Sequence, residues 1–184
     1  GGEVAAGEGF EGNVVVKEQE EEKAGVVPLR RSLYMLGSSR AYWAIGLSFF
    51  ICGVTTTGFL ETHLVALVVE NGLSLYYGGL AFSVISACNG IALVIAGYMT
   101  DAFDKRLLLA TIFAVRAGIY VVLLLAFDSS EPVAVLFVFS VVFGVVDYSV
   151  IPPVVSLVKA HYPHIVGLAM GLLLSLHSGG AAVG

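Results

Sequence analysis

Five ionisable side chains stand inside long apolar stretches: Glu61, His63, Arg116, Asp147 and His177. A charge among so many apolar neighbours is costly unless it has a partner. A guanidinium binds a carboxylate through two parallel hydrogen bonds, so Arg116 can pair with Asp147 or clamp an anion that enters from outside. A neutral imidazole at His177 can accept a proton, donate to a carboxylate, or bond to a neighbouring helix. Gly53, Thr57 and Glu61 recur every four residues and make one polar, small-sided helical face, while Thr56 and His63, seven apart, share another. The triplet Thr55-Thr56-Thr57 can satisfy its hydroxyls on its own backbone and so need bind nothing else. Asn89 is either a hydrogen-bond donor into a cavity or glue between two helices. The groups that could bind a polar ligand or handle a proton are therefore His177, Glu61, Asn89, Thr57 and His63, with Arg116 and Asp147 as an internal charge pair.

Other arrangements carry less chemistry. His161-x-x-His164 lacks a third ligand, so no metal is expected. No nucleophile has a base at a matching position, which argues against an enzyme, and no cofactor motif is present. Cys52 and Cys88 fall inside apolar runs and read as small buried hydrophobes. Lys and Arg total nine, the net charge is −5 and no basic stripe forms, which excludes a nucleic-acid partner.

The elements that must position these groups follow from composition. The chain is 58% hydrophobic and 12% charged, about half the charge of an ordinary soluble domain, which carries ~25%. Spanning a bilayer takes about 20 apolar residues as a helix. Five segments qualify, at roughly 41–69, 75–100, 107–127, 132–158 and 165–184, and they predict an all-α membrane protein of about five transmembrane helices. Four short polar breaks separate them. Asp104 can cap the third span, and Ser130-Glu131-Pro132 can open the fourth, where a first-turn proline loses no helical bond. Pro152-Pro153 should break that span near its inner end and free backbone carbonyls. Gly167-x-x-x-Gly171 and Gly180-x-x-x-Gly184 offer close-packing faces on the fifth.

Basic residues lie before the first span, at Lys105 and Arg106, and at Lys159, whereas the other two breaks hold only acids. The positive-inside rule makes the first set cytoplasmic. Residues 1–40 hold an acidic, glycine-rich stretch expected to be a disordered cytoplasmic segment. A short interfacial helix should follow, with Leu29, Leu33 and Leu36 on one face. The chain starts with glycine and stops inside a span, so a fragment lacking a final helix is expected.

Between the second and third spans, Gly97-Tyr-Met-Thr-Asp101-Ala-Phe-Asp104-Lys105-Arg106 resembles the cytoplasmic loop motif of the major facilitator superfamily, G-x-x-x-D-R-x-G-R-R. Gly97, Asp101, Lys105 and Arg106 match in kind; Ala102 and Asp104 depart from it. The stretches "FFICGVTTTGFLETHLV", "LLLATIFAVRAGIY", "VIPPVVSLV" and "LSLHSGGAAVG" are similar to the seventh, ninth, tenth and eleventh spans of monocarboxylate-transporter-like members. The resemblance implies a partial helical bundle, spans 7 to 11, from the carboxyl-terminal half. It implies secondary active transport of a small organic anion such as a monocarboxylate, with protons as the candidate coupling ion. It also implies an amino-terminal half of the same transporter as partner, and a multi-pass location in a plasma membrane or bacterial inner membrane. In the family pattern Asp101 contacts the neighbouring bundle when the cytoplasmic side is closed, and Ala102 removes one partner of that latch. The alternative is a non-transporting membrane protein of the same fold with a binding or regulatory role.

Overall fold

The computed structural model describes residues 27–126 and 130–184; most of the acidic amino-terminal segment and Asp128 lie outside the described residues. The described residues are almost wholly helical. Helix α1 is Leu29–Gly37. Among the described residues, four helices are long and apolar enough to cross a membrane: α2 (Arg40–Glu70), α3 (Leu75–Ala102), α4 (Lys105–Ala126) and α5 (Pro132–His161). A shorter apolar helix, α6 (Val166–Ala181), follows. At the place of the fifth expected span, this helix is shorter than a full crossing needs and ends three residues before Gly184, in a turn closed by the Gly180 carbonyl.

Local chemistry sets the helix ends. Asp104 caps α4: its Oδ1 accepts from the Arg106 and Leu107 amides, both at 2.9 Å. Ser39 caps α2 by accepting from the Tyr42 amide at 3.3 Å. Glu131 takes the N-cap position of α5 without a side-chain capping bond, and Pro132 stands in the first turn, where its missing N–H costs nothing.

Two of the long helices change winding midway. In α2, Val54–Glu61 is a π-helical segment, with bonds reaching five residues back. In α5, the helix stops at Val146, passes through a 3-10 turn at Tyr148–Val150, and restarts at Ile151 with prolines in its first turn. The Ile151 amide bonds to the Tyr148 carbonyl three residues back; Pro152, which has no N–H, cannot serve that carbonyl from four residues on.

Packing pairs α2 with α6, and α3 and α4 with α5. Glycines bring α2 and α6 to backbone contact. A side chain at Gly53 would strike the His177 carbonyl, and one at Gly180 would strike the Phe50 carbonyl. Gly144 of α5 likewise meets Ile85 and Cys88 of α3. Gly180 and Gly184 therefore pack as the spacing suggests, but Gly167 and Gly171 face open space. One apolar cluster fills the Lys105–Arg106 end, around Val150, Val154 and Leu173, and a second fills the opposite end, around Leu64, Phe139 and Phe143. The short α1 buries Ser32, its hydroxyl bonded to the Pro28 carbonyl at 3.1 Å, and Leu36, while Leu29 and Leu33 are exposed.

Candidate functional site

Arg116 and Asp147 meet between the two apolar clusters. Arg116 Nη2 lies 2.8 Å from Asp147 Oδ1, and the residues are 3% and 4% exposed. An ion pair so deep is tolerable only if its remaining polar atoms also find partners. Nearly all do. Thr56 of α2 donates its hydroxyl to Asp147 Oδ1 at 3.0 Å and accepts from Arg116 Nη1 at 3.1 Å. Asn89 of α3 donates to Asp147 Oδ2 at 3.2 Å. Its carbonyl oxygen accepts from the Tyr148 amide, also at 3.2 Å, and so ties α3 into the break of α5.

Arg116 also reaches backbone and sulfur. Nη2 donates at 3.0 Å to the Asp147 carbonyl at the break, and Nη1 lies 2.8 Å from Cys52 Sγ. The guanidinium carbon sits 5.2 Å from the Phe143 ring centre and 5.9 Å from that of Phe113, close enough for cation–π attraction. Nε has no hydrogen-bond partner among the described residues. Helices α2, α3, α4 and α5 thus each contribute to one closed, charge-balanced network at mid-helix.

The structure brings together three of the predicted residues, Arg116, Asp147 and Asn89, and adds Thr56 and Cys52. Two readings change. Thr55 satisfies itself on the Ile51 carbonyl at 2.9 Å, but Thr56 does not, because Asp147 is the stronger acceptor. Cys52 is buried, yet it serves as a hydrogen-bond acceptor and not merely as a small hydrophobe. A threonine and a cysteine one turn apart, at 52 and 56, are the signal that could have marked this face.

The other candidates lie apart from the network. Glu61 and His63 are exposed, His63 with its ring 6.3 Å from that of Phe59. Thr57 is half-buried, and its carbonyl accepts from the Thr62 hydroxyl at 2.9 Å. His177 is half-buried at the α2–α6 contact, edge-on to Phe49 with ring centres 6.4 Å apart. The π winding also takes Gly53, Thr57 and Glu61 off a common face: Gly53 is buried against α6 while Glu61 is exposed. Around the loop motif, Asp101 is exposed, and Gly97 has nothing near it that a side chain would meet.

Long apolar helices with a neutralised pair buried at their centre define an integral, multi-pass helical membrane protein. The family model of the Major Facilitator Superfamily matches residues 11–184, and the chain belongs to that superfamily of transporters. No curated protein and no solved structure gives a match.

Proposed function

We propose that the chain is the carboxyl-terminal bundle of a secondary active transporter. It carries a small organic anion such as a monocarboxylate by alternating access, in symport with protons, and faces an amino-terminal bundle of the same protein. The observation that carries this reading is an open stripe of small residues on each of two helices. On α3, Gly79, Ser83, Ala87 and Gly90 are exposed; on α6, Gly171, Ser175 and Gly179 are. The glycines among them have no neighbour that a side chain would meet. Small residues at helical spacing let another helix approach closely, and lipid alone does not call for them. A second bundle against these faces would enclose a central site between the halves.

Arg116 is held by Asp147, Thr56 and Cys52, which supports a structural role for it. Glu61, His63 and His177 stand outside that network and are the candidate groups of the substrate or proton pathway. Asp101 contacts the facing bundle when the Lys105–Arg106 end is closed, and Ala102 leaves that latch with one partner fewer. Uptake of radiolabelled monocarboxylate into proteoliposomes holding the complete transporter tests the proposal. Uptake should rise with an inward proton gradient and fall in Glu61→Gln and His177→Ala. Uptake indifferent to the gradient would remove proton coupling, and no uptake of any organic anion would favour a non-transporting role.

A further inference from the structure

Helix α2 changes its repeat where α4 grips it. Gly46 and Gly53 both face α6 and are seven residues apart, the spacing of two α-turns. The next glycine against α6 is Gly58, five residues on, which is the reach of a π-helical bond. Winding by five keeps the glycine face on α6, whereas a return to α-winding would turn everything beyond it by roughly 100° for each residue of register.

The grip comes from two residues of α4 one turn apart. Arg116 Nη1 donates to the Thr56 hydroxyl, and the Tyr120 hydroxyl donates to the Thr55 carbonyl. Thr56 is held from its other side by Asp147 at 3.0 Å. Tyr120 is itself fixed by rings, at 5.5 Å from both Phe139 and Phe143 and 5.9 Å from Phe59. The Thr62 hydroxyl occupies the Thr57 carbonyl at the end of the segment. Consecutive residues of α2 are therefore pinned by an unbroken helix at the point where the winding departs from α.

We propose that Arg116 and Tyr120 are positioning residues that hold α2 in its π register, and that α2 passes between π and α winding when this grip is released, swinging Glu61 and the helix beyond it about the axis. The swing rests on the transport reading only for what it would serve, namely turning Glu61 towards or away from the path. A population shift of this kind needs contacts that differ between the two states, and the Thr55 and Thr56 contacts exist in one register only.

A distance measurement tests it. Spin-labelled non-natural amino acids replace Val69 and Leu125, both exposed at the far ends of α2 and α4, in the complete transporter. Native Cys52 and Cys88 stay in place. Thr56→Val keeps the branched shape and loses the hydroxyl; Tyr120→Phe keeps the ring and loses the donor; Thr56→Ser keeps the hydroxyl. Pulsed electron resonance should show the distance moving by roughly 5 Å, or a second population, in the valine and phenylalanine variants, given a helix radius of about 5–6 Å with side chains. The serine variant should match the wild type. Unmoved distances in both Thr56→Val and Tyr120→Phe would overturn the proposal whatever uptake does. Absent uptake in the wild type would overturn the transport reading and leave the distance result intact.

Discussion

Arg116 and Asp147 are worth most to each other. Removing one leaves an uncompensated charge at the centre of the bundle, whereas removing both leaves a cavity and some unpaired hydroxyls. Arg116→Ala or Asp147→Ala alone should destabilise by about 3–5 kcal/mol. The double variant should cost well below the sum, and unfolding in mixed micelles measures the difference. Additive losses would show that the two act independently. Asp104, outside the spans, behaves differently. The Leu107 amide, then the Arg106 amide and the charges of Arg106 and Lys105, hold its carboxyl below its ordinary value. A carboxyl with a lowered folded-state value stabilises the fold above its unfolded value and loses that contribution as pH falls through the folded one. The cap on α4 should therefore weaken only on acidification below the usual aspartate range. Hydrogen-exchange protection of the Arg106 and Leu107 amides should fall with it, and Asp104→Ala should lack that protection at every pH.

At the scale of elements, glycines sort the helix faces into packed and open. Gly53 and Gly180 leave no room for a methyl group, so Gly53→Ala or Gly180→Ala should cost about 1–3 kcal/mol through overpacking. Gly171→Ala meets nothing within this chain and should be neutral, or stabilising by up to ~1 kcal/mol through helix propensity. Thermal unfolding of the isolated chain in detergent separates the two cases, and equal losses would refute the assignment of faces. The spans themselves were legible because an apolar run of sufficient length has few alternatives. The Arg116–Asp147 pair was legible because a guanidinium and a carboxylate inside apolar runs each need a partner and suit one another. The π segment was not, since the repeat of four from Gly53 to Glu61 assumes α-winding throughout. Thr56 was missed with it: its partners lie 60 and 91 residues away, and local chemistry offered it a nearer carbonyl.

At the scale of the whole molecule, charge asymmetry predicts which way the bundle crosses the membrane. Lys105 and Arg106 begin α4, and Lys159 lies in the last turn of α5, so both fall at one end of the bundle. Asn71 and Gly72, in the turn between α2 and α3, lie at the other, beside Glu70. Basic residues flanking spans resist translocation, whereas acids contribute little to orientation. The Lys105–Arg106 end is therefore expected in the cytoplasm. A cysteine placed at Asn71 should react with a membrane-impermeant thiol reagent in intact cells, and one at Phe103 only after permeabilisation. Both sites are exposed, so access and not burial decides the outcome. Native Cys52 and Cys88 give little background: Cys52 is buried, and Cys88 is half-buried on a membrane-spanning helix. The reverse pattern would invert the bundle and place Asp101 on the outer face, where it could not close a cytoplasmic gate. Because the two positions bracket α3 alone, the result does not depend on where the chain begins or on what lies opposite the open glycine stripes.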